Sequence, residues 1–440
     1  MNTVLIEPTD LLFFRDAIPM SAGQGSGAGC RMPFPSTLHE AFRACLLRDR
    51  GEIGLTKSVS GRPHHAPRKG NWHAESDATD IQIASKAFRS MRTVGPLPWH
   101  AKHDILLPVP MDGVFGPQND KLHCLQLWRD DFIQQTQVIQ NPSSYRPPCL
   151  PMAVTPPDKH GQLSGWWTVD QFRRYLKGDL DNAGNSFDPL PTCELWKAEQ
   201  HVGVEIDPGS FAAKKSQIYT GSYLRANSQT RFLVQLELGD PGARANGEGK
   251  AISNLDWLLL GGEFRLARVW HRDQNNKPLP DFLANLRQGS IPTSGDGPCL
   301  LKWVLITPAI FAHGSLPGWC ADTKKDRTGG PLPVGHVCLE LPGRAQLISW
   351  CLGKPRVVSG WDMADGCAKP TMLAVPEGGV YYFLCENRAT AVELAKKLHW
   401  QPRSDFYGEK GCGYGVVSFD VQMHRTSPDV STLAKELLNC

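Results

Sequence analysis

The residue types that carry most covalent and proton-transfer chemistry are present in this chain, but not at the spacings such chemistry needs. Gly23 to Gly29 does not fit the phosphate-cradling pattern G-x-x-x-x-G-K-S/T, because no lysine follows its last glycine. Nor does it fit G-x-G-x-x-G between a strand and a helix. H-E-x-x-H, G-x-S-x-G and paired C-x-x-C are all absent. His100 and His103, with two residues between them, have a spacing that chance supplies among 14 histidines. No run of paired carboxylates suggests two-metal catalysis. These absences weigh against an enzyme, and the expectation is a protein with no metal and no cofactor.

Glycines, cations and aromatic rings are better placed. A residue without a side chain lets the main chain approach a phosphate and offer its N–H groups. Gly25, Gly27 and Gly29, followed by Arg31, can wrap an anionic strand, with Arg31 pairing to a phosphate; the alternative is a flexible surface loop. Gly411, Gly413 and Gly415, with Tyr414 between them, fit the same role. Tyr414 either stacks on a base or lies in the core of a helix-to-strand turn. Ser36 and Thr37 are cap candidates at a helix N-terminus, where hydroxyls can also donate to a phosphate. Arg43 falls between apolar helix positions and tends to an exposed edge, facing either RNA or solvent. Lys214, Lys215 and Arg225 flank a hairpin that also carries Tyr219 and Tyr223, and cations interleaved with aromatics suit a groove that follows a nucleic-acid backbone. Arg15 either pairs with Asp16 or reaches RNA.

The elements that must position these residues can be read from periodicity. Strands are predicted at Thr3 to Glu7, Asp104 to Pro110, Leu122 to Trp128, His201 to Asp207, Ser216 to Arg225, Arg231 to Leu238 and Phe264 to Trp270. After a polar linker, Asn275 to Pro298, further strands are predicted at Lys302 to Thr307, Val380 to Cys385 and Val416 to Val421. Leu38, Ala41, Phe42, Cys45 and Leu46 recur at helical spacing after Pro35, and Thr390 to Leu398 has one apolar face. Val169 to Leu176 and Ser253 to Leu260 read as short helices. Ser58 to Asp80 reads as a polar surface insertion, and Asn141 to Pro157 as a Pro-rich connection. Helix, glycine loop and strand recur as Ser253–Gly262–Trp270 and Thr390–Gly415–Val421, which is how two βαββαβ units would close.

A chain of 440 residues is too long for one ordinary core, so two domains with insertions are expected. With 41% hydrophobic and 21% charged residues it belongs to the soluble globular class. No window approaches the roughly 18 consecutive apolar residues of a spanning helix. The start, MNTVLIEPTD, has neither the basic nor the apolar region of a secretory leader. The 13 cysteines are scattered without close pairs, which favours reduced thiols and a cytoplasmic protein. A net charge of +3 does not prove a nucleic-acid partner, because local clustering creates the binding field.

Several segments, in order, resemble the Cmr3-type (third Cmr) subunit of type III-B CRISPR effector complexes, within the RAMP superfamily. They are Ile6-Glu7-Pro8-Thr9-Asp10 with Phe14-Arg15-Asp16, and Phe34-Pro35-Ser36-Thr37-Leu38 with Arg43. His201 to Asp207 follows, with Ile218-Tyr219 and Leu224-Arg225, then Leu260-Gly261-Gly262-Glu263. Leu305 to Phe311, Ser359-Gly360-Trp361-Asp362, Lys369-Pro370, Val375-Pro376 and Gly413-Tyr414-Gly415 complete the series. The chain departs from the family where Glu263-Phe264-Arg265 replaces a more glycine-rich run. The resemblance implies an α+β fold of two ferredoxin-like (RRM-like, βαββαβ) domains with long insertions and glycine-rich loops. The first would span 1–275 with insertions at about 50–200, and the second 296–440. It implies a non-catalytic subunit that holds the 5′ tag of the CRISPR RNA, with Gly261 and Gly262 as a further contact. Docking against the large polymerase-like subunit and the first backbone RAMP subunit is also implied, with target RNA met only indirectly and no membrane. Some RAMP relatives cut RNA with a histidine near the first helix, which makes His39 the rival catalytic candidate. A purely protein-binding scaffold is the other rival.

Overall fold

The computed structural model describes residues 2–14, 26–27, 32–50, 88, 90–115, 122–127, 152–153, 161–180, 187–238, 247–271, 297–320, 343–362, 367–421, 423, 429–431 and 434–435. Arg15, Gly25, Gly29, Arg31 and the Ser58 to Asp80 insertion lie outside these residues. The fold is a mixed α/β one, rich in strands and with few helices.

The first part of the chain builds a seven-stranded antiparallel sheet. Its strands are β1 (Asn2–Pro8), β2 (Met91–His100), β3 (Asp104–Pro108), β4 (Trp166–Thr168), β7 (Thr230–Leu238), β8 (Trp257–Leu259) and β9 (Leu266–Trp270). They lie in the order β4-β3-β2-β7-β1-β9-β8. Between β4 and β7 the chain leaves the sheet to form a long hairpin, β5 (Trp196–Ile206) and β6 (Ala213–Ala226). The last part builds a four-stranded antiparallel sheet, β11-β12-β10-β13, from β10 (Cys299–Leu305), β11 (Ala345–Cys351), β12 (Val380–Cys385) and β13 (Gly415–Ser418).

Strand alternation sorts side chains into three apolar layers. In β1, Val4 and Ile6 face helix α1 (Pro35–Asp49), whereas Leu5 faces the opposite way. In β12, Tyr381, Phe383 and Cys385 face helix α4 (Arg388–Leu398), and Val380, Tyr382 and Leu384 face away from it. The two inward sets meet in one shared middle layer, which also takes Phe172 and Tyr175 of helix α2 (Val169–Leu176). The sheets are therefore held together by a common core and not by a loose contact. Each apolar side chain withdrawn from water there contributes about 1.5–3 kcal/mol. Among the described residues no helix is long and apolar enough to cross a membrane.

Two local expectations are corrected. Helix α1 is capped by Phe34, with Pro35 at its first position, so Ser36 and Thr37 are inside the first turn and do not cap it. Proline is well suited to that position because its missing N–H would have had no partner. The helix expected at Ser253 to Leu260 ends at Ser253: α3 is Glu248–Ser253, and Trp257–Leu259 is β8, paired with β9. The run of four apolar residues, Trp257 to Leu260, is too short to choose between periods, and a free sheet edge decided it. The two glycine loops thus do not follow equivalent elements. The second follows α4, whose Asn387 side chain accepts from the Thr390 N–H; the first turns between two strands.

A polar network crosses the shared layer. Asp112, only 1% exposed, accepts from Tyr175 Oη at 2.7 Å and from Tyr382 Oη at 2.6 Å, joining α2 to β12. The ammonium of buried Lys302 lies 4.0 Å from the centroid of the Tyr175 ring. Burial, then the charge of Asp112, hold both tyrosine hydroxyls well above their ordinary pKa, so they remain donors. Tyr382→Phe is expected to lower stability by about 1.5–3 kcal/mol, the worth of a hydrogen bond to a charged acceptor. Asp112→Ala is expected to cost more, because it leaves two buried hydroxyls unpaired; urea unfolding of both variants checks the order.

Candidate functional site

The β5–β6 hairpin presents two unlike faces, because partners across an antiparallel pair share a side. One face pairs Lys197 with Arg225, Glu199 with Tyr223, His201 with Gly221 and Gly203 with Tyr219. Tyr219 lies across Gly203, where a Cβ would meet the ring at 2.3 Å, so only glycine lets the ring lie flat on the strand. The opposite face carries Val202 (73% exposed), Val204, Ile206 and Ile218, with Phe211 at the tip 84% exposed. The alternation of Val202, Val204 and Ile206 was legible as a strand. That this strand projects beyond the core was not.

The base of the polar face is a dense cluster. Tyr223 packs on Phe13 at 4.8 Å and donates to Glu263 Oε1 at 2.7 Å. Arg265 pairs with Glu263 Oε2 at 2.7 Å and lies 5.2 Å over the Tyr223 ring. Gly262 N–H donates to Phe13 O at 2.8 Å, and Gly261 adopts φ 81°, ψ −162°, a region open essentially to glycine alone. Arg225 is bound by Glu199 and by Asp10 at 3.4 Å, and Lys214 by Glu205. The short strand Ser26–Gly27 runs parallel to β6 beside Thr220 and Gly221.

Gly27, Lys214, Lys215, Tyr219, Arg225, Gly261 and Gly262 are thus gathered along one hairpin and its base. Their charge is less one-sided than the sequence suggested, because Asp10, Glu199, Glu205 and Glu263 neutralise much of it. Lys215 is exposed. Sequence reasoning missed Asp10, Glu263 and Arg265 as members of the cluster, since nothing local ties residue 10 to residue 225. The departure at Glu263-Phe264-Arg265 was the available signal.

The remaining candidates lie at the seam between the sheets. The glycine loop at Gly411 to Gly415 is buried, and Tyr414 (5% exposed) packs on Trp400 at 6.0 Å. Gly413 N–H donates to Pro308 O at 2.9 Å, Tyr414 N–H to Thr307 Oγ1 at 3.0 Å and Gly411 N–H to Gly408 O at 3.1 Å. A Cβ on Gly411 would lie 3.0 Å from the carbonyl oxygens of Thr93 and Gly95, and one on Gly415 would strike Trp303. These glycines serve close packing between the sheets. Their N–H groups are already spent and the tyrosine ring has no open face, which corrects the expectation of a phosphate cradle here. Beside the loop, Lys410 pairs with Glu40 of α1, and Thr93 N–H donates to Glu409 O at 3.1 Å. Ser36 and Thr37 are half-buried in the same region. Arg43 is half-buried rather than on an exposed edge, with Nη2 out of contact with water. His39 is 5% exposed and bonded through Nδ1 to Thr93 Oγ1 at 2.9 Å. Among the described residues no group of three or more His, Cys, Asp or Glu is placed to hold a metal ion.

The family described as CRISPR-associated protein (Cas_Cmr3) matches residues 4–418. The chain belongs to this family. No curated protein matches it. Among solved structures, this Cmr3-type chain is similar to one from a cryo-EM structure of the type III-B Cmr-beta bound to cognate target RNA and AMPPnP, at 14% identity and TM-score 0.43, with 94% of each chain covered. A second, from the type III-B Cmr-beta bound to cognate target RNA, has 13% identity, TM-score 0.41 and 86% of each chain covered. A chain of the Csm3–Csm4 subcomplex of a type III-A CRISPR-Cas interference complex has 10% identity and TM-score 0.34, covering 87% of this chain and 92% of its own.

Two outcomes are expected at the hairpin base. Gly261→Ala forces a Cβ to within 2.4 Å of Phe13 O and is expected to destabilise the chain by about 1–3 kcal/mol, measured by thermal unfolding. Hydrogen bonds from Arg225 and His201 hold the Glu199 carboxyl down at about 2, against an ordinary 4.5. A depressed acid contributes its stabilisation above its unfolded value and loses it as pH falls. The cross-strand pairing within the hairpin is therefore expected to weaken from pH 4.5 toward 2, seen as smaller hydrogen-exchange protection factors across β5 and β6 once the intrinsic pH dependence of exchange is divided out, and Glu199→Gln should flatten that dependence.

Proposed function

We propose that this Cmr3-type chain is a non-catalytic, cytoplasmic subunit of a type III-B CRISPR RNA-guided effector complex, that it binds the 5′ tag of the CRISPR RNA, and that it docks against the large polymerase-like subunit and the first backbone subunit. The observation that carries the reading is the family match over nearly the whole chain. Sheet orders β2-β7-β1-β9 and β11-β12-β10-β13 are those of two βαββαβ units, which supports two ferredoxin-like domains, 1–275 and 296–440. The polar face of the hairpin, with Tyr219, Lys214, Lys215 and the adjoining glycine segments, is the surface offered to RNA. Its apolar face suits a neighbouring subunit, since covering each exposed aliphatic side chain would gain on the order of 1.5–3 kcal/mol.

A ribonuclease using His39 is disfavoured because a general acid or base must reach the substrate, and this imidazole is buried against Thr93. His39→Ala is expected to leave repeat-RNA processing in the co-expressed system unchanged; abolished cleavage would overturn the non-catalytic reading. For RNA binding, the isolated chain is expected to bind tagged RNA with an affinity that falls steeply with salt. Lys214→Glu with Lys215→Glu should reduce the log–log salt slope by about 1.4, at roughly 0.7 for each phosphate of a single strand that is no longer neutralised. Fluorescence anisotropy checks both. Tag affinity found only in the assembled complex would favour the scaffold reading instead.

A further inference from the structure

At the rim of the seven-stranded sheet, strand register lays one row of side chains across β8, β9, β1, β7 and β2. Trp257 lies opposite Arg268, Arg268 opposite Glu7, and Arg231 opposite Trp99. Glu7 Oε1 accepts from Arg231 Nη2 at 3.0 Å, which joins the two halves of the row. Residues directly opposite in an antiparallel pair share a side, so the row lies on one face of the sheet. Trp270 and Leu266, each two residues from Arg268 along β9, are on that face too. It is the face turned away from α1, since Ala267 and Val269 between them point into the α1 layer.

Most of the row is satisfied within the sheet. Trp99 Nε1 donates to Asp104 Oδ1 at 2.7 Å, and Trp270 Nε1 donates to Glu7 Oε2 at 2.6 Å. Both Glu7 oxygens are thus taken, and Trp99 and Trp270 also pack on the shared layer. Arg268 is the exception. Its guanidinium lies 3.8 Å over the Trp270 ring centroid and 6.0 Å from that of Trp257, yet among the described residues no carboxylate and no other acceptor meets its N–H groups. The side chain is exposed. Beside it Trp257 is 48% exposed and Leu266 is 41% exposed.

Such a cation is prepared for a partner. A guanidinium stacked on an indole keeps its donors in its own plane, open at the edge, and has already given up freedom that binding would otherwise remove. Its planar fork matches the two oxygens of a carboxylate. The apolar surround of Trp257 and Leu266 favours a partner that excludes water, and Trp and Arg are the residues on which protein interfaces concentrate their binding energy. A nucleic-acid strand fits less well, because following its phosphates takes a succession of cations. The other cation of the row, Arg231, is 13% exposed and held by Glu7. We propose that Trp257, Leu266 and Arg268 form a docking surface for a neighbouring protein subunit of the effector complex. That subunit seats an aspartate or glutamate on the Arg268 fork and aliphatic side chains against Trp257 and Leu266. The inference rests on the assembly reading given above and names a surface for it separate from the hairpin.

Hydroxyl-radical footprinting read by peptide mass spectrometry tests this on the full chain alone, with tagged RNA, and within the co-expressed type III-B complex. Trp257 and Leu266 are expected to be oxidised alone and with RNA, and to be protected in the complex. A zero-length carbodiimide applied to the complex carrying Arg268→Lys is expected to join the introduced amine to an aspartate or glutamate of one neighbouring subunit, forming an amide with loss of water. Arg268→Glu and Trp257→Ala, each checked for folding by thermal unfolding, are expected to lower incorporation by roughly tenfold or more in competition with the unaltered chain. Both should leave the affinity of the isolated chain for tagged RNA unchanged. Protection already present in the isolated chain, protection by RNA alone, no cross-link to a carboxylate, or incorporation indifferent to both variants would each overturn the proposal. If the chain enters the complex and Trp257 stays open, the docking inference fails and the assembly reading stands. If the unaltered chain does not enter the complex at all, the assembly reading fails and takes the inference with it.

Discussion

One apolar layer, shared by two antiparallel sheets, is the constraint from which the rest of this Cmr3-type structure follows. Each sheet has its own helix on its outer face, α1 on one and α4 on the other, and both turn their inner faces to the same core. Neither inner face could stand in water alone. The polar groups that enter the layer must therefore be matched with care, and Asp112 does this by taking one hydroxyl from each side. A buried carboxylate with two donors and a nearby ammonium fixes how the sheets sit on each other more strictly than aliphatic contacts, which tolerate sliding.

That packing explains why the second glycine loop is not an open cradle. The chain must pass from α4 to β13 within the seam, against the backbone of β2 and the first turn of α1. At Gly411 and Gly415 any Cβ would collide with main chain or with Trp303. The glycines are needed for approach, as in a phosphate loop, but the neighbour approached is another strand. The first glycine loop is different: it turns at the margin of the seven-stranded sheet beside the hairpin base. Its left-handed Gly261 holds Glu263 toward Tyr223 and Arg265.

The hairpin is where the molecule's chemistry faces outward. A two-stranded arm of this length cannot bury both faces, so one face carries ion pairs and a tyrosine and the other leaves aliphatic side chains in water. Arg225, Lys214 and Arg265 look like free cations in the sequence, yet each is matched by a carboxylate in space. Any anionic group approaching this surface must compete with those carboxylates for the cations.

What the sequence determined by itself was local and ordered. Continuous apolar runs such as Val380 to Cys385, the helix at Thr390 to Leu398 with its one apolar face and the helix at Val169 to Leu176 were legible because each carries its own local pattern. The family was legible because its motifs recur in order along the chain. Tertiary structure decided what those elements meet. It turned Trp257–Leu259 into a strand by giving it an edge to pair with, buried His39 against Thr93 of β2 and Tyr414 in the layer the two sheets share, and joined Asp10 to Arg225 across more than two hundred residues. Burial and charge pairing depend on contacts between distant segments, and no local spacing records them.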